Sequence, residues 1–125
     1  MGDAAHALKH DLELAVRGQV HVPGDASWDD ARQAWNLSID QHPLAVVDVA
    51  DADDVRAAVR AAGRLELPVV AQSTGHAATD DGVTGAIVLR MHALDSVEVD
   101  TDRKVAESAA GPCGRVFSTN STAPV

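Results

Sequence analysis

Apolar residues recur at every fourth position early in the chain: Leu8, Leu12 and Val16 share one stripe between Ala7 and Arg17, and Gly18 follows as a stop. The spacing predicts a short amphipathic helix. Val22-Pro23-Gly24-Asp25 reads as a turn, after which Ser27 is a candidate N-cap for a second helix from Trp28 to Trp35, ended by Asn36. The period then changes. Leu44 to Val49 is almost wholly apolar, as in a strand covered on both faces, and Asp51 offers an N-cap with Asp53 and Asp54 in the first turn of a further helix. Val55, Ala58, Val59, Ala62 and Leu65 line the apolar face of that helix, with Arg56, Arg60 and Arg64 on a solvated one. Pro68 marks the next strand, so residues 44–72 read as a βαβ unit whose two strands run parallel.

Asp80-Asp81-Gly82 is a turn signal, Ala86 to Leu89 a buried strand, and Val97 to Asp100 alternates apolar and acidic residues as a half-exposed strand does. Thr101-Asp102-Arg103 reads as a hairpin turn leading to a last strand over Val105 to Ala110. Gly111-Pro112 breaks the pattern, and Phe117 to Val125 is polar, small and aperiodic.

Composition narrows the partners. With 125 residues, 46% of them hydrophobic, the chain can build one modest core, and aromatic content of 2% leaves that core to Val, Leu, Ile and Ala. A net charge of -9 and the lack of an aromatic platform argue against nucleic acid. An anionic ligand must therefore be held by backbone dipoles. No run approaches the length of a membrane span, the first 22 residues lack the order of a signal peptide, and the single Cys113 hints at no oxidising compartment, so no membrane is expected and a cytoplasmic location is the expectation.

The tetrapeptide Ser73-Thr74-Gly75-His76 follows the strand-like run Pro68 to Ala71, at the carboxyl end where open α/β sheets bind ligands. Gly75 can take a positive φ at little cost and the hydroxyls add donors, so the loop can act as an anion-binding nest with a histidine beside it. The chain holds neither GxGxxG nor GxxxxGK[ST], which argues against a Rossmann dinucleotide domain and a P-loop enzyme.

Gly24-Asp25 through Trp35-Asn36, then Pro43 to Val49, Asp54-Val55, Leu67 to Val70, Gly75-His76 and Val97 to Asp100 occur in an order that resembles the start of berberine-bridge-enzyme-like FAD-linked oxidases. These belong to the vanillyl-alcohol-oxidase superfamily and share a PCMH-type FAD-binding domain. The resemblance implies an α+β fold with N-terminal helices over 1–43, a partial PCMH-type domain over 44–111 comprising the βαβ unit and further strands, and an irregular tail over 112–125. It also implies that Gln72, Ser73, Thr74, Gly75, His76 and Ala77 cradle the FAD pyrophosphate, and that His76 can bond covalently to the flavin, as in many relatives. A small-molecule substrate is expected only in an intact relative, where the flavin oxidises an alcohol or amine C–H bond.

Two departures from the family stand out. Thr74 occupies a place where many relatives have glycine, and Ala110 to Val116 matches their Gly-Ala-x-Trp-Gly-like segment imperfectly before the chain stops. The expectation is a truncated reading frame, inactive alone and poorly soluble, with no catalytic residue to assign. The alternative is a non-catalytic remnant or a small module binding a nucleotide or a partner. Plainer readings cover the other polar groups. His6 and His10 have helical i, i+4 spacing but no third metal ligand, and His21, His42 and His92 are scattered. A helix N-terminus explains Asp51, Asp53 and Asp54, Trp28 and Trp35 read as packing residues, and Cys113 carries no role.

Overall fold

The computed structural model describes residues 2–111, so the break at Pro112, Cys113 and the tail from Phe117 lie outside the described residues. Three helices, α1 (Gly2–Ala15), α2 (Trp28–Arg32) and α3 (Ala52–Arg64), accompany six strands: β1 (Gln19–His21), β2 (Ala45–Asp48), β3 (Val69–Gln72), β4 (Ile87–Arg90), β5 (Val97–Asp100) and β6 (Val105–Ser108). The first four strands form a sheet in the order β1-β2-β4-β3, and β5 and β6 make a separate antiparallel hairpin. The fold is α+β.

Period-two alternation sorts the central strands onto two faces. Ala45, Val47, Ile87 and Leu89 point toward α1 and α3 and pack with Leu12, Val16, Ala58, Ala61 and Ala62, while Val46 and Val88 form a smaller cluster with Ala31 and Val83, against which Trp28 and Val70 lie. β2 and β4 are buried on both faces, which is why their sequences are continuously apolar. β2 and β3 run parallel as the βαβ pattern predicts, but β4 lies between them and pairs in parallel with both, matching Val46 with Val88 and Val70 with Val88.

Four elements depart from the sequence reading. β1 is a strand that the hydrophobic pattern does not announce; three residues are too few to show a period, and its identity comes from antiparallel pairing with β2, Val20 opposite Val47. The second helix ends at Arg32 rather than Trp35, and Ser27 makes no side-chain capping bond because its Oγ lies 2.7 Å from His21 Nδ1 instead. In α3, Val59 is 48% exposed and Leu65 38% exposed, so the buried stripe is carried by Ala58, Ala61 and Ala62, small residues that allow close approach of α1. The hairpin packs loosely, with Val99 and Val105 exposed.

The carboxyl end of β2 is closed by the chain's own acids. Asp51 caps α3 by accepting from Asp54 N at 3.0 Å, and the buried Asp54 carboxylate accepts from the N–H groups of Arg17, Gly18 and Ala50 at 2.8, 2.8 and 2.9 Å. Burial works against the charge of Asp54, but these backbone bonds outweigh it and hold the carboxyl below the usual carboxylate range. Gly18 is required there: a Cβ would stand 1.7 Å from the carbonyl oxygen of Asp48.

Candidate functional site

β3 ends at Gln72, and residues 73–78 turn away from the carboxyl edge of the parallel strands. Gly75 adopts φ +83°, the left-handed conformation that a side chain resists, and a Cβ there would lie 2.9 Å from Ala34 Cβ and 3.1 Å from the Trp35 nitrogen. That close approach is made by two backbone bonds, Trp35 N to Thr74 O at 3.2 Å and Asn36 N to Gly75 O at 3.3 Å. The segment after α2 thus backs the loop, and glycine is the residue that lets it.

Within the loop, Ala78 N donates to Gly75 O at 3.2 Å, and Ser73 Oγ donates to Ala110 O. The N–H groups of Ser73, Thr74, Gly75 and Ala77 have no acceptor among the described residues. The carbonyls of Thr74 and Gly75 are engaged by the segment after α2, and backbone donors without an internal acceptor are what an anion-binding loop requires. Gln41, almost fully buried, anchors the far end by donating from Nε2 to Thr79 O at 2.9 Å. An open cleft of about 230 Å³ lies alongside, lined by Gln41, Val70, Gln72, Ser73, Ala77 and Val83 among others. A larger depression of about 720 Å³ beside α1 is lined by apolar residues such as Leu8, Leu44, Leu65 and Leu67 and offers no comparable set of donors.

His76 is exposed, and its imidazole stacks on Trp35 with ring centroids 3.9 Å apart and planes 14° from parallel. Its Nδ1 lies 2.6 Å from Thr74 Oγ1, the hydroxyl that also faces the His76 N–H at 3.4 Å. All six sequence-predicted loop residues, Gln72 to Ala77, are therefore contiguous on one edge, although Gln72 belongs to the strand and its carbonyl accepts from Met91 N at 3.1 Å. Trp35, whose sequence context suggests core or interface packing, is 65% exposed and so outside the core, and it meets the site.

A second polar group lies on the α2 face of the sheet. His21, 8% exposed, meets Asp48 Oδ2 through Nε2 at 2.9 Å, and Arg90 donates to the Ala31 carbonyl at 3.2 Å. Asp48 Oδ1 is 3.2 Å from Arg90 Nε, close enough for charge attraction but not aligned as a hydrogen bond. This chain of side chains ties α2 to the sheet and so supports the segment behind the loop. Nothing in the spacing of His21, Asp48 and Arg90 announces it; the strand register brings them together. His6 Nδ1 meets the Gly2 carbonyl at 2.7 Å, and no group of three or more His, Cys, Asp or Glu side chains is placed for a metal among the described residues. No helix among them is long and apolar enough to cross a membrane.

A parallel-stranded α+β unit with a donor-rich loop at its carboxyl edge defines a class of phosphate-bearing cofactor domains. Comparison with known proteins makes the class specific. Residues 43–116 match the FAD binding domain family, and the chain belongs to that family. It is 33% identical over 105 residues to the FAD-linked oxidoreductase hasG of Aspergillus fumigatus, covering 82% of this chain and 22% of that protein. The structure of wild-type BBE-like 1 from Physcomitrella patens superposes with a TM-score of 0.69 at 26% identity, over 79% of this chain and 22% of that one. That of 6-hydroxy-D-nicotine oxidase from Arthrobacter nicotinovorans superposes with a TM-score of 0.60 at 29% identity, over 71% and 20%. The chain spans about a fifth of the length of these relatives. FAD is the cofactor of the family, and the sequence resemblance to berberine-bridge-enzyme-like oxidases stands.

Proposed function

We propose that Gln72, Ser73, Thr74, Gly75, His76 and Ala77 cradle the pyrophosphate of FAD, and that residues 44–111 form the first portion of a flavin-dependent oxidoreductase acting on alcohol or amine C–H bonds. The observation that carries this reading is the row of N–H groups at Ser73, Thr74, Gly75 and Ala77 that have no acceptor among the described residues, on a loop that Gly75 allows to pack against Ala34. A chain with net charge -9 favours this arrangement, because fixed backbone dipoles hold a phosphate without a basic side chain. FAD supplies hydride acceptance when bound, and the protein's part is to place it.

His76 stands at the end of the cradle, where its ring can meet the flavin. For covalent attachment, His76 would supply a neutral imidazole nitrogen as the nucleophile, and FAD when bound would supply the 8-methyl carbon that receives it. No side chain of the described residues is assigned a catalytic role. Titrating the chain with FAD, ADP and riboflavin while following tryptophan emission tests the cradle, since Trp35 touches the loop. FAD and ADP are expected to compete and riboflavin to bind weakly. Equal binding of riboflavin, or no response to FAD and ADP, sinks the pyrophosphate assignment. Flavin fluorescence retained on the denatured chain, and lost in His76→Ala, is the expected sign of attachment.

A further inference from the structure

The helix α1 carries a second stripe besides the one that joins it to the core. Ala5, Leu8, Leu12 and Ala15 pack toward the sheet and α3. Ala4, Ala7, Asp11 and Leu14, spaced three, four and three residues apart, follow another line along the same helix, and all four are exposed. Leu14 stands out of it at 76% exposure. At the amino-terminal end of this line lies the depression of about 720 Å³ walled by Leu44, Leu65 and Leu67, and at the Leu14 end a shallower one of about 280 Å³ runs to Ala61 and Arg64. We propose that this face of α1 docks a second copy of the chain, in a twofold dimer whose two α1 helices lie antiparallel. The face is on the opposite side of the sheet from α2 and is independent of the loop after β3.

The occupant follows from where the features sit. A knob at one end of a helix and a hollow at the other complete each other under a twofold axis across the middle of that helix, because each copy then offers its knob to its partner's hollow. With the axis near residue 9, Leu14 of each copy meets Ala4 and the larger depression of the other, and the alanines let the two backbones approach closely. Charge agrees with the same pairing. Arg64 lies beside Leu14 and Asp3 beside Ala4, and neither makes an ion pair among the described residues of one copy. The antiparallel arrangement brings each to the other across the interface, twice per dimer. Asp11 falls near the axis, where two like carboxylates repel, and the net charge of -9 also opposes association, although salt screens it beyond about 8 Å. The face is about 20 Å long, at 1.5 Å per residue of α1, and roughly as wide across two helices. Its area belongs with small interfaces, so the dimer is weak and reversible.

Sedimentation equilibrium of the full chain tests this, under reducing conditions so that Cys113 cannot crosslink copies. Between about 1 and 500 μM the monomer should pass to a dimer and nothing larger, with a Kd on the order of 10 μM. Leu14→Asp should leave the chain monomeric throughout, with the parent's circular dichroism melt because the residue is exposed. Arg64→Asp and Asp3→Arg should each weaken the dimer by about tenfold, since a surface pair is lost twice, and the two together should restore it. Asp11→Asn should tighten it. A parent that is monomeric at every concentration, the result if another protein or the chain beyond residue 111 is the occupant, overturns the proposal. So does growth beyond the dimer, or a dimer indifferent to Leu14→Asp. A double variant no tighter than the single ones overturns the antiparallel pairing.

Discussion

Two loops leave the carboxyl ends of parallel strands in the same sheet, and they treat their backbone donors in opposite ways. After β2, the chain fills the position with its own carboxylate: Asp54 takes the N–H groups of Arg17, Gly18 and Ala50. After β3, no carboxylate accepts from the loop, and the N–H groups of Ser73, Thr74, Gly75 and Ala77 have no acceptor among the described residues. Both depend on a glycine that fits where a side chain cannot, Gly18 against the Asp48 carbonyl and Gly75 against Ala34. The difference teaches how one architecture yields a structural joint at one strand end and a candidate binding loop at the next. Donors satisfied internally stabilise the fold, and donors left unsatisfied at the surface are available to an anion.

Breaking the closed joint should have the largest effect. Gly18→Ala forces a Cβ into the β2 backbone at 1.7 Å, and the expected cost of about 4 kcal/mol or more should abolish a cooperative urea melt followed by circular dichroism. A melt within error of the parent would mean that β1 can shift away from β2. Asp54→Asn should be next, at roughly 2 kcal/mol, because an amide oxygen accepts less strongly and the NH₂ group replaces an oxygen that accepts either from Arg17 N or from Gly18 and Ala50 N.

The same substitution tests the pH dependence. Asp54 has its carboxyl pKa lowered in the folded chain from the ordinary 3.8, so its stabilisation is complete above that value and is lost as pH falls through the lower folded one. Asp54→Asn should therefore flatten the acid limb of stability below pH 3.8 while leaving the neutral-pH deficit in place. An acid limb as steep as the parent's would assign it to other groups, such as Asp25, whose pKa is lowered by its bond to Lys9.

The open loop should respond more in ligand binding than in stability. Gly75→Ala is expected to cost about 1–2 kcal/mol for the left-handed conformation and to weaken FAD binding further than this, because Ala34 and the Trp35 nitrogen sit where the new methyl group would go. Normal FAD titration of a destabilised Gly75→Ala chain would separate the loop's geometry from its function. Thr74→Val should be the mildest, within about 0.5 kcal/mol of the parent in a thermal melt, since the threonine contacts lie at the surface. A large stability loss there would place Thr74 with the joint rather than with the loop.

Much of this was legible in the residues. The apolar run of β2, the Asp51 cap, the parallel βαβ direction and the Ser73 to His76 loop each follow from local rules that act within a few residues. The insertion of β4 between β2 and β3, the short strand β1 and the escape of Val59 to solvent do not, because each depends on partners far along the chain. Trp35 is the clearest instance: its context reads as core or interface packing without saying which, and the early end of α2 at Arg32 is followed by an exposed indole against the imidazole of His76.

The sequence by itself determined the class of fold and the family, and it marked out the small-residue loop from Ser73 to His76, because propensity, period and motif are encoded by neighbours. Only the tertiary structure decided which acids close a joint, which donors remain open, and which side chains hold His76, because these depend on long-range contacts: strand register sets Asp48 beside Arg90 and His21, and backbone bonds across the chain set Trp35 against the loop.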